Sequence, residues 1–136
     1  MVPLSVFLPD ISPARIAREL EELEKAGESV RTTVNSDREV AIEFPVSVES
    51  DSNNISIVLP HGYPNVCPRV YIDHIDSSAP HRFLDGALCI FGVMGSWNPG
   101  KHSARVALDY ARQWLRHYEI WRKTGEWPIP GVNDAR

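Results

Sequence analysis

The sequence predicts an α+β domain: a first helix, an antiparallel four-stranded meander, a long loop and a long last helix. Three observations carry that class. Apolar residues recur at helical spacing over 13–26 and again from Ala104 to Tyr118. Between them, Val40, Ile42, Phe44, Val46 and Val48 alternate strictly, as a strand with one buried face must. Residues 76–101 hold no sustained period, and so long a stretch inside a compact domain is ordinarily a functional loop.

Each element follows in chain order. Ser12 offers a capping hydroxyl and Pro13 sits where a helix needs no donor, so a helix is expected from about 13 to 26, with Gly27 just past its end. Its outward face is read as acidic, carrying Glu19, Glu21, Glu22, Glu24 and Glu28. Val30 to Val34 supplies a strand ahead of 40–48, and Pro45 places an edge or a bend there. The polar run from Glu49 to Asn54 reads as a hairpin connection, after which Ile55, Ile57 and Leu59 alternate and Val70 and Ile72 begin a fourth strand. The last helix is capped by Ser103 and closed by Thr124-Gly125, with Trp127-Pro128 sealing the fold. Trp114, Trp121 and Trp127 read as core or helix-end anchors.

Composition bounds the function. The 136 residues fit one domain, 1–136, and 43% apolar with 24% charged residues support a core rather than disorder. Two cysteines are no disulfide framework, which points to a reducing compartment and the cytoplasm. A net charge of −4 argues against nucleic-acid binding. No apolar run approaches the roughly 18 residues of a membrane span, and the apolar start lacks the basic residues and cleavage site of a secretory signal. The charge is uneven: residues 1–100 carry −7 and residues 101–136 carry +3.

The unusual chemistry crowds into residues 60–102. Pro60, Pro64 and Pro68 stiffen the chain leaving the third strand, and Cys67 between Val66 and Pro68 reads as packing. Cys89 stands in Asp85-Gly-Ala-Leu-Cys-Ile-Phe, just past the turn signal Asp85-Gly86. An isolated cysteine among Leu and Ile is ordinarily a buried apolar residue. Against that stand His81 eight residues upstream, and the Gly-rich loop of Gly92, Gly95 and Gly100 anchored by Trp97 downstream. Five histidines invite a metal, yet none has ordered ligand spacing with a partner, so neither a metal nor a cofactor is expected. Phosphate-cradling, dinucleotide and serine-hydrolase motifs are absent. On residue chemistry alone, Cys89 with His81 could equally be a cysteine hydrolase, with Asp73, Asp76 or Asp85 as the orienting group.

Taken together, Tyr63-Pro64 with Pro68, Cys89 after Gly86, and Trp97-x-Pro99 resemble the ubiquitin-conjugating enzyme family. The spacing agrees as well as the residue types, with eight residues from Cys89 to Trp97. The resemblance implies that Cys89 accepts the C-terminus of a ubiquitin-like protein as a thioester and passes it to an amine. Asp85, Gly86, Trp97 and Pro99 then support the active-site loop. His81 occupies the place of the Asn in the family's His-Pro-Asn motif, which here reads Ala79-Pro80-His81, and is expected as oxyanion donor or as base toward the amine. Two departures stand out: only 47 residues follow Cys89, and the first helix is acidic where an activating enzyme commonly docks. They resemble the divergent bacterial members found in CBASS antiphage operons, which implies the C-terminus of a cGAS-like nucleotidyltransferase as the other partner, with or without an activating enzyme. The alternative is a non-catalytic binding module of the same fold that recognises a ubiquitin-like protein or another partner.

Overall fold

The computed structural model describes residues 11–48, 51–83, 85–88, 90–91 and 95–128. Helix α1 spans Pro13–Lys25, strands β1 to β4 span Arg31–Val34, Val40–Val48, Asp51–Leu59 and Arg69–Ile72, and helix α2 spans Ala104–Thr124. The four strands form one antiparallel sheet in the order β1-β2-β3-β4. Strict alternation sets the register. Ile42 faces Ile57 and Phe44 faces Ile55, which in turn faces Ile72, and all five are buried. Onto that face pack Ile16 and Leu23 of α1 and Ala107, Leu108, Ala111, Trp114 and Leu115 of α2, in one core cluster.

The hairpin between β2 and β3 is tighter than the polar residues suggested. Asp51 already opposes Val48, so Asn53 and Asn54 belong to β3 rather than to a connection. These asparagines are usually turn formers. Here the Asn53 side chain donates to the Asp73 carbonyl at 2.6 Å, and the Asn54 amide donates to the Asp73 carboxylate at 2.7 Å. Both tie the strand to the chain leaving β4, so their polarity is used across the sheet.

The helix ends also depart from expectation. Ser12 and Ser103 occupy the N-cap positions, yet neither hydroxyl makes the capping bond. At α2 the work passes to α1. Glu19 accepts from the Ala104 amide at 3.0 Å, and the Ser103 hydroxyl donates to Glu22 at 2.5 Å. Two carboxylates at a helix N-terminus oppose the positive end of its dipole. Glu19 is therefore buried, at 2% exposure, and the expectation that it lies on an outward acidic face is corrected. Of the rest, Glu21 pairs with Lys25 and Glu28 takes a two-pronged bond from Arg112 at 2.8 and 2.6 Å. That guanidinium holds the Glu28 carboxyl below the usual range. Among the described residues, no helix is long and apolar enough to cross a membrane.

Candidate functional site

The site is built on the chain between β4 and α2. Arg82 bridges Leu88 and the Phe83 amide donates to the Ala87 carbonyl at 2.8 Å, so Arg82-Phe83 and Ala87-Leu88 lie side by side as the arms of a small hairpin. Gly86 turns it at φ +94°, a left-handed conformation that side chains resist, and its amide donates to the Phe83 carbonyl at 2.9 Å. Asp85 locks the turn by accepting from the Ala87 amide at 3.0 Å. Its second oxygen accepts from the Tyr71 hydroxyl at 3.0 Å; that hydroxyl accepts from Arg69, which in turn grips Glu39 at 2.8 Å. The Ala87 amide first, and the Tyr71 hydroxyl after it, hold the Asp85 carboxyl below its usual range despite partial desolvation.

This hairpin is fastened to the sheet where the candidate nucleophile follows. The Leu88 amide donates to the Val70 carbonyl of β4 at 2.8 Å, and Leu88 and Ile90 are 3% and 1% exposed. The chain is thus anchored on both sides of position 89. Cys89 itself lies outside the described residues, as do Leu84 and residues 92–94.

A second wall comes from Trp97. Its indole N–H donates to the Pro64 carbonyl at 2.7 Å, and its ring sits 5.7 Å from Tyr63, 5.4 Å from Phe91 and 5.6 Å from His102. The Tyr63-Pro64 corner is therefore the seat of the loop rather than a free-standing bend. Tyr63 is fixed from below by its hydroxyl bond to Glu19, and burial first, then that carboxylate, push its pKa up. Asn98 stands in the sequence only as part of the Trp97–Pro99 run, and His102 only as a histidine weighed for a metal; in the structure they close the loop. The Asn98 amide donates to His102 Nδ1 at 2.9 Å, and the Asn98 side chain accepts from the Gly100 amide at 2.9 Å. The Asn98-Pro99 pair was the one available signal, since Asn before Pro favours a turn. Pro99 itself is exposed.

His81 stands at φ +60° at the entrance to the hairpin, and its carbonyl accepts from the Trp114 indole at 3.3 Å. Its side chain is buried at 1% exposure, 5.0 Å from the Trp127 ring. The three acids considered as orienting groups are engaged elsewhere: Asp73 with Asn54, Asp76 with Ser78 and Asp85 with Ala87 and Tyr71. Among the described residues, no group of three or more His, Cys, Asp or Glu side chains is placed to hold a metal ion.

Two openings flank the loop. A groove of about 400 Å³, lined by Cys67, Phe83, Asp85, Ala87, Leu88 and Phe91 among others, runs beside the hairpin. Cys67 is exposed there and lines the groove, so its expected packing role is corrected. A cleft of about 530 Å³ lies between α1 and residues 99–105, and Arg15, Arg18, Lys25, Lys101 and Arg105 line it with Glu21 and Glu22.

With this geometry in place, comparison with known proteins is informative. The family described as "Type II CBASS E2 protein" matches residues 19–134. No curated protein matches the sequence. A solved complex of the Vps23 UEV with ubiquitin superposes with a TM-score of 0.55 at 16% identity, covering 83% of this chain and 89% of that one. The yeast Vps23 UEV domain in complex with a Vps27 PSDP peptide gives a TM-score of 0.53 at 18% identity, covering 81% and 85%. At such identities the likeness shows the fold alone, and it is the ubiquitin-conjugating-enzyme-like fold expected from the sequence.

Proposed function

This chain belongs to the type II CBASS E2 protein family, and from that membership we propose that it is a thioester-forming acyl carrier with Cys89 as nucleophile. An E2-like role in antiphage defence follows from the family itself. The finer reading is that Cys89 takes the C-terminus of a ubiquitin-like protein or of a cGAS-like nucleotidyltransferase and hands it to an amine, in the cytoplasm.

The observation that carries this reading is the double anchoring of the chain around position 89. Leu88 is bonded to β4, Ile90 is buried, and the Asp85–Gly86 turn and Trp97 brace either side. A nucleophile needs such fixed backbone, because misplacement by about 1 Å can cost on the order of 100-fold in rate. In the first step the Cys89 thiolate attacks the carbonyl carbon of an activated C-terminus. The C–S bond forms and the activating group departs with its bonding electrons. An amine then adds to the thioester; the C–S bond breaks, the thiolate returns, and the amine's proton passes to water. Each step passes through an oxyanion, and His81 is the proposed donor to it. Packing against Trp127 fixes its ring, as a pre-placed donor requires.

A second reading, a binding module without chemistry, draws on the two structural neighbours, both UEV complexes, one with ubiquitin and one with a peptide. Mass spectrometry separates the two. Protein isolated with its partners should carry a Cys89 adduct that a thiol reductant removes. Cys89→Ser should give an ester that resists reductant, and Cys89→Ala should give none. Absence of any adduct in all three makes the chain a binding module. A His81→Ala protein that loads and discharges as fast as wild type removes His81 from the mechanism.

A further inference from the structure

The residues that fix the His81 ring lie far from it in sequence. Trp127 is 2% exposed, and its indole packs 5.0 Å from His81, 5.2 Å from Trp114 and 5.8 Å from His117. It reaches that place because α2 ends in a fixed reversal. Gly125 adopts φ +80° and its amide donates to the Trp121 carbonyl at 2.7 Å. The Thr124 hydroxyl donates back to the Ile120 carbonyl at 2.9 Å and accepts from the Glu126 amide at 3.1 Å. These bonds turn the chain back along its own helix and deliver one large ring onto His81. Trp114 holds the other end of the same residue, taking the His81 carbonyl with its indole N–H. Backbone and ring of His81 are therefore clamped separately, by an interior tryptophan and by one that arrives after the last helix.

We propose that Trp127 is a positioning residue, a strap that sets the orientation of the His81 imidazole from which it serves the acyl-transfer step. The proposal rests on the thioester reading above. A side chain on a left-handed residue at the mouth of a hairpin has several rotamers open to it, and an indole face on one side removes most of them. The same ring could do no more than fill space in the core, and the experiment is chosen to tell these apart.

The full-length chain is assayed with its partners as wild type, Trp127→Leu, Trp127→Phe, His81→Ala and the double variant His81→Ala/Trp127→Leu. Leucine keeps apolar volume without a ring face; phenylalanine keeps a ring. Trp127→Leu is expected to slow thioester formation and discharge by about 100-fold, the scale of lost positioning, and Trp127→Phe to recover most of that. In the His81→Ala background Trp127→Leu should add no further loss, since two residues acting through one group are not additive. Equal losses from Trp127→Leu with and without His81, or Leu and Phe variants that track melting temperature alone, overturn the proposal. A parallel NMR arm follows the His81 ring Cε1 proton, which the indole ring current should displace in the wild type and which Trp127→Leu should return toward the free value. Should wild type form no thioester at all, the functional reading fails by itself. The NMR arm then decides the strap: an unmoved His81 signal overturns it.

Discussion

Glu19 carries more connections than its sequence position suggests. Its carboxylate accepts from Tyr63, Arg15 and the first amide of α2, joining the first helix, the proline corner and the last helix at one buried point. Removing it leaves buried donors without partners, whereas an amide of the same shape keeps part of the pattern. Glu19→Ala should therefore cost about 2–4 kcal/mol in urea unfolding, and Glu19→Gln about half that. An unchanged denaturant slope would confirm that stability, not compactness, has changed. Gly95 is the other residue whose side chain, or lack of one, is decisive. A Cβ there would run into the Tyr110 ring and hydroxyl. Gly95→Ala should destabilise by about 1–3 kcal/mol, with Tyr110→Phe in the same chain restoring part of it, as read by melting temperature. Neither residue announced itself in the sequence: Glu19 was one glutamate among several, and Gly95 one glycine in a run.

At the scale of elements, what periodicity can show was legible and what side chains do at long range was not. The alternation of Val40 to Val48 gave β2 its observed bounds, and the spacing of Ala104, Leu108, Ala111 and Leu115 gave the buried face of α2. Asn53 and Asn54 misled because their strand role depends on Asp73, 20 and 19 residues away. The active-site hairpin was half legible. Asp85-Gly86 declared its turn, but the Tyr71, Arg69 and Glu39 chain that steadies it comes from β4 and from the residue just before β2. Burial of His81 was equally invisible, because it depends on Trp127 returning from beyond α2.

Over the whole molecule, charge is used mostly within the fold. Glu28 is held below its ordinary value by Arg112, while Glu39 is held low by Arg69 and Asn35 against desolvation, and Asp85 by the Ala87 amide. A carboxyl depressed in the folded state contributes stability that is present above its unfolded pKa and lost as pH falls toward the folded one. His117 acts in the same direction: burial, then Arg116, lowers its pKa, so the unfolded chain takes up the proton first. Stability should hold near neutrality, begin to decline as pH drops through the ordinary histidine value near 6.5, and fall further through the carboxylate range. Urea midpoints between pH 8 and pH 3.5 measure this, on the order of the change that linkage allows. His117→Gln should remove the early part of the decline and leave the late part. A midpoint that rises on acidification would contradict the ion pairs described.

The bond from the Ala104 amide to Glu19 spans 85 residues of chain. The meander pairs only neighbours, so the sheet can form from the nascent chain as its strands emerge. Glu19 and Glu22 of the first helix must wait until the chain has reached Ser103 and Ala104 before they make the bonds that join α1 to α2. Until then the apolar face of β2 and β3 lacks Ala107, Leu108, Ala111, Trp114 and Leu115, and α2 is the element whose arrival completes its cover. Helix α2 therefore acts toward the rest as an internal chaperone: translation that pauses before Ala104 would strand a half-covered sheet, and speed through α2 would protect it.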